Sequence, residues 1–120
     1  MKVTRIIEDA RGVSTFAEDS VTLEDHGTIG RLSRLLPAEG VIFRETPPDY
    51  DYDWHPAPQR QYIVLLDGEI EIEVGTGEVR QFRGGEVLLV EDTEGRGHRT
   101  RSIGDTPRRS LFIPLAQAPA

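Results

Sequence analysis

Residues 69–74 read Glu-Ile-Glu-Ile-Glu-Val, bounded by Asp67-Gly68 on one side and Gly75-Thr76-Gly77 on the other. A period of two puts every acid on one face and every aliphatic side chain on the other. That pattern suits a strand with one dry side and one wet side, and it does not suit a helix. Asp-Gly is a tight-turn pair, because both residues tolerate positive φ. The same rhythm continues on either side. Residues 61–66 precede the turn as a strand, 78–82 follow as another, Arg83-Gly84-Gly85 turns the chain, and 87–90 read as a buried strand. A loop over 93–97, a strand over 98–103, a turn over 104–107 and a final strand over 109–113 complete this half.

The first half is less regular. Residues 3–7 form a short apolar–polar run, and Thr15-Phe16 and Val21-Thr22-Leu23 are strand candidates within 12–23. Residues 29–36 read as a strand, with Leu32, Leu35 and Leu36 equally compatible with a helical turn. Residues 40–45 are rich in β-branched and aromatic side chains and predict a strand. The stretch 46–53, Thr-Pro-Pro-Asp-Tyr-Asp-Tyr-Asp, is expected to be irregular, since two prolines remove donors and fix φ. No segment has the pattern of a long amphipathic helix. Short strands at regular spacing predict an all-β antiparallel sandwich or barrel.

Composition sets the function classes. A chain of 120 residues is one domain with a core of useful size. With 14 Lys and Arg against 21 Asp and Glu, the net charge is −7, which argues against nucleic acid as a partner. The arginines at 96, 99, 101, 108 and 109 cluster near the C-terminus and read as strand-edge and solvated-face charges rather than as an anion site. There is no cysteine, hence no thiolate chemistry and no Cys-based zinc site. The first residues contain no long apolar run, so no membrane association and a cytoplasmic location are expected.

Chemistry concentrates in two of the three histidines. His55 lies in Trp54-His55-Pro56-Ala57-Pro58-Gln59-Arg60-Gln61, and His98 follows Glu91-Asp92-Thr93-Glu94-Gly95-Arg96-Gly97. His26, in Glu24-Asp25-His26-Gly27, reads as an exposed turn residue. These segments resemble the two motifs of the cupin superfamily, and more narrowly those of small single-domain bacterial cupins. In the first motif, read back from Gly68, the two histidine positions fall on His55 and Ala57 and the glutamate position on Gln61. Gly85 opens the second motif and His98 supplies its histidine, after a longer loop than usual and without the motif's proline. The match covers residues 54–102.

The resemblance implies a cupin-type jelly-roll barrel over about residues 28–115. It leaves residues 1–27 as N-terminal strands available for exchange in a homodimer and 116–120 as a C-terminal tail. It also implies that His55, Gln61 and His98 face one pocket, and Trp54, Phe43, Tyr50 and Tyr52 are candidates for its apolar wall or lid, Trp54 and Phe43 as further ligand-binding side chains. The metal-binding cupins use three imidazoles and a carboxylate, and this chain keeps two of those four donors. His55, His98 and Gln61 thus make at most a loose divalent-metal site, because an amide oxygen is a weak donor to transition metals. Without a metal, His55 and His98 form a candidate catalytic acid–base pair, with Glu91 or Asp92 available to fix a tautomer. Three functions remain open: a small-molecule-binding protein that turns over a small polar substrate with His55 and His98, a metal-dependent oxygenase or isomerase with a reduced ligand set, and a non-catalytic sensor module.

Overall fold

The computed structural model describes residues 1–116. It contains twelve strands, one 3-10 turn at Gly27–Ile29, and no α-helix among the described residues. In chain order the strands are β1 (Lys2–Glu8), β2 (Ser14–Ser20), β3 (Glu24–Asp25), β4 (Arg31–Leu32), β5 (Ile42–Thr46), β6 (Asp51–His55), β7 (Gln61–Leu65), β8 (Glu69–Glu73), β9 (Val79–Arg83), β10 (Val87–Val90), β11 (His98–Ile103) and β12 (Arg108–Pro114). A six-stranded sheet runs β2-β1-β10-β7-β12-β5 and a four-stranded sheet runs β6-β11-β8-β9. Strands β3 and β4 make a small separate ribbon.

The alternating run behaves as its period requires. On β8, Ile70 and Ile72 are buried while Glu69, Glu71 and Glu73 stay partly in water. Their aliphatic face meets Ile6, Leu65, Leu88 and Val90 from the six-stranded sheet and Phe82 from β9, forming one core. Phe16 of β2 packs on Phe82 with ring centroids 5.9 Å apart and rings tilted by 54°. This end of the sandwich is filled. The end covered by β5, β12 and β7 on one side and by β6 and β11 on the other is hollow, and it holds the site.

Several expectations change. The boundary at residue 28 does not separate two units: β1 lies inside the larger sheet, antiparallel to β2 and parallel to β10 of its own chain. Ile6 of β1 and Phe16 of β2 belong to the core, so within one chain these two strands are part of the sandwich. The stretch 46–53 is more regular than its prolines suggest. The chain turns only across 47–50, where the Tyr50 N–H donates to the Pro47 carbonyl, and β6 starts at Asp51. Residues 33–41 form no strand, and Leu35 is 96% exposed. Of the expected tail at 116–120, only Ala116 falls within the described residues. Its N–H donates to the Pro37 carbonyl.

Candidate active site

A cavity of about 320 Å³ opens between the two sheets. Its apolar wall comes from Ile63 and Phe112 on one sheet and Ile70 and Ile72 on the other, closed by Ala57 and Val90. Its polar groups are His55, Gln61, His98, Thr100, Tyr50, Tyr52, Arg44 and Arg108. A concave, mostly apolar space with a few converging polar groups is the usual form of a small-molecule site.

Strand geometry brings the two histidines together. His55 ends β6 and His98 begins β11, and they are cross-strand partners. Their ring centroids are 4.7 Å apart. The pairing then slips, so that Thr100 opposes Tyr52 and the β6 segment carries one extra residue opposite Arg99. Such a bulge re-aims side chains. Strict alternation would turn Tyr52 away from the face His55 occupies. With the extra residue both point inward, and the Tyr52 ring centroid lies 4.0 Å from that of His55.

Both imidazoles are held by Nδ1. The His98 Nδ1 is 2.6 Å from Asp92 Oδ2, and the Asp92 side chain is wholly buried. An ionised carboxylate only accepts, so this Nδ1 carries the proton. The His55 Nδ1 lies 2.8 Å from the Asp53 carbonyl, which also only accepts, so it too is protonated. In its neutral form each ring is thereby fixed in the tautomer that leaves a lone pair on Nε2, the basic nitrogen of a general base or a ligand acceptor. Burial lowers the His55 pKa from its ordinary value, and the neighbouring His98 ring lowers it further, against the raising effects of the Asp53 carbonyl and Asp92. His55 is therefore neutral near pH 7. Asp92 is placed to stabilise an imidazolium on His98, as the acid of a catalytic triad does.

Asp92 is the residue that completes the site, and its position continues the alternation of β10. Leu88, Val90 and Asp92 are all buried on one face. Glu91 points the other way and pairs with Arg5 at 2.7 Å and Arg60 at 2.8 Å. Gln61 is 5% exposed, lines the cavity and makes no side-chain hydrogen bond among the described residues, which leaves its amide facing the cavity.

Two of the expected ligand-binding side chains lie elsewhere. Phe43 is 78% exposed, because on β5 the inward positions are Ile42 and Arg44. Trp54 points away from the cavity on the far side of the bulge, where the Arg96 guanidinium sits 4.3 Å from its ring centre. Tyr50 and Tyr52, the other two aromatics expected around the pocket, do stand on its wall, and Arg44 and Arg108 join them there. His26 lies outside the site, on the loop joining β3 and β4.

The donor set does not fit a transition metal. Ala57, 3% exposed, occupies the wall where a second histidine would stand, and Gln61 stands where a carboxylate would. Asp92 is turned to the Nδ1 side of His98. No group of three or more His, Cys, Asp or Glu side chains among the described residues is arranged to hold a cation.

No protein-family model matches the chain, and no curated protein matches it in sequence. Its backbone does match solved structures. The cupin domain of Cnp3 from Schizosaccharomyces pombe superposes with a TM-score of 0.51 over 96% of this chain and 88% of that one, at 16% identity. The chain has the cupin fold. At that identity the likeness speaks for the fold alone. Protein NMB1881 from Neisseria meningitidis aligns over 82% of this chain and 88% of its own at 18% identity, with a TM-score of 0.48. The cupin fold accounts for the hollow end between the sheets, since jelly rolls are double sheets that enclose a pocket. No helix among the described residues is long and apolar enough to cross a membrane.

Proposed function

We propose that this cupin binds a small polar organic molecule in the mouth of its barrel and that His98, backed by Asp92, moves a proton on it. The observation that carries the reading is the buried His98–Asp92 contact of 2.6 Å beside a second histidine locked in the same tautomer. His98 Nε2 acts as the base. His55, neutral and with its Nδ1 proton committed, accepts a hydrogen bond from a ligand O–H or N–H. Gln61 offers both a donor and an acceptor. The chemistry available to such a pair is isomerisation, epimerisation or elimination. A cavity of about 320 Å³ lies at the small end of ligand pockets, so the ligand is compact.

A thermal-shift screen of small polar metabolites tests this. Hits are expected that stabilise the wild type and lose their effect with His98→Gln. Incubating each hit in D2O then asks for exchange of a carbon-bound proton, which Asp92→Asn should slow by about 10²–10⁴-fold if His98 is a general base. Binding without exchange would make the protein a sensor module. Hits indifferent to His98 would remove the histidines from the function.

We also propose that the protein forms a homodimer. Strand β5 is an open edge of the six-stranded sheet and carries exposed Ile42 and Phe43. Antiparallel pairing of β5 with its copy would satisfy that edge and cover Phe43. Light scattering at micromolar protein is expected to give the dimer mass, with Phe43→Glu giving the monomer. A monomer for the wild type would refute it.

A further inference from the structure

The wall of the cavity formed by β5 and β12 carries positive charge that no ion pair among the described residues neutralises. Arg108 is 6% exposed, and its Nε is buried without a hydrogen-bond partner. Arg44 lies on the neighbouring strand, and both residues line the cavity. The two guanidinium groups lie 5.4 and 5.3 Å from the centre of the Tyr50 ring. Arg44 also lies 5.0 Å from that of Phe112. Neither appears among the ion pairs of the described residues, although the chain has 21 acids for 14 basic residues. Three of the other C-terminal arginines behave differently. Arg99, Arg101 and Arg109 pair with Asp51, Glu71 and Asp67 on outer faces.

The hydroxyl groups follow the same pattern. Thr46 pairs with Arg108 and Ser110 with Arg44 across β5 and β12, which puts all four side chains on one face. Thr46 Oγ1 and Ser110 Oγ are buried without partners among the described residues. A buried cation with no counter-charge costs several kcal/mol by general estimates, and stacking on Tyr50 offsets only a part of that. Burial lowers the Arg108 pKa, with Arg44 adding to the effect, as expected for a cation that lacks an anion.

We propose that the cavity is built for a small organic oxyanion, a carboxylate or a phosphate monoester, whose charged head is held by Arg44 and Arg108. The body of the ligand then lies on Ile63, Ile72 and Phe112 and its far end meets His55 and His98. This rests on the pocket being the functional site. It adds the ligand class, because planar guanidinium forks match carboxylate and phosphate oxygens.

Binding measured by amide chemical-shift titration and calorimetry tests the assignment. The probes are benzoate, 4-hydroxybenzoate and 3-methylbutyrate, the amides of the same three acids, and phenyl phosphate. The acids or the phosphate are expected to bind at least tenfold tighter than the amides, and the ranking of benzoate against phenyl phosphate identifies the head group. Arg108→Met should abolish that preference, so that the acids bind no tighter than the amides. Without ligand the variant should melt no lower than wild type, because it removes an unpaired buried charge. If Arg108→Met does not fold, Arg44→Gln carries the same comparison at a more exposed site. Amides that bind as tightly as the acids, a preference that survives both substitutions, or no binding by any probe would overturn the proposal. Amide binding that depends on His98 but shows no preference for anions would leave the pocket reading standing and reject the anion alone.

Discussion

Ala57→His combined with Gln61→Glu is expected to turn a site that does not suit a transition metal into one that does. Both residues already line the cavity beside His55 and His98, and both are almost fully buried. Gln61→Glu is nearly isosteric and supplies the missing negative charge. Ala57→His places an imidazole into existing cavity space. The two resident histidines are prepared, because each Nδ1 is tied to an oxygen and each Nε2 is free to coordinate. Four-ligand structural zinc sites are worth roughly 10–16 kcal/mol, so two restored ligands contribute about 3 kcal/mol each. That amounts to about four orders of magnitude in affinity. Calorimetry with Zn2+ or Ni2+ at neutral pH checks it, with each single substitution giving part of the gain. A folded double variant with unchanged metal affinity would show that positions 57 and 61 do not share a centre with the histidines.

The strands from β7 onward were legible because their sequence alternates and glycines mark their ends. The 69–74 run fixes β8, and Asp67-Gly68 and Gly84-Gly85 fix the turns around it. What alternation does not carry is the choice of partner. Nothing in residues 3–7 says that they pair in parallel with 87–90, a contact that depends on the whole sheet closing. The apolar residues at 29–36 invited a strand. Only Arg31–Leu32 form one, in the small ribbon with β3, and Ile29 and Leu35 on either side are largely exposed.

The site was legible in part. His55, Gln61, His98 and Ala57 stand on the cavity wall as the motif alignment expected. Trp54 directly precedes the inward-facing His55, so alternation alone turns it to the outer face, whereas the bulge in β6, which no local residue pattern announces, is what brings Tyr52 inward. Phe43 was misplaced because aromatic character suggested burial, whereas parity along β5 puts Ile42, Arg44 and Thr46 inside. The same parity would have found Arg108, two residues before Ser110 and four before Phe112. It was obscured because Leu111 and Ile113 make the other face of β12 equally apolar. Asp92 was within reach of the sequence, since continuing Leu88 and Val90 by two more residues arrives at it.

Gly97→Ala is expected to be the most damaging small substitution near the site. Gly97 has φ of 85°, a left-handed conformation that costs an L-residue roughly 1–2 kcal/mol. Strain is the lesser part. A Cβ here would overlap the carbonyl of His55 and the backbone nitrogen of Pro56, and neither can move without moving the His55 ring. The Gly97 carbonyl also accepts from Ser14 Oγ at 2.7 Å, and that hydroxyl in turn accepts from the Gly75 N–H at 2.8 Å. Displacement would thus reach both sheets. Gly77 provides the control. Its φ is 92°, but a Cβ there meets nothing within 4 Å. Gly77→Ala should therefore lose about 1–2 kcal/mol from backbone strain alone, and Gly97→Ala more than about 3 kcal/mol, as measured by urea denaturation. The two should differ at the site as well. The downfield proton signal of a short His98–Asp92 hydrogen bond is expected to persist in Gly77→Ala and to vanish in Gly97→Ala. Equal losses for the two variants would mean that the backbone between β6 and β11 yields readily. The two imidazoles would then not be held in place by this close approach of the two chain segments.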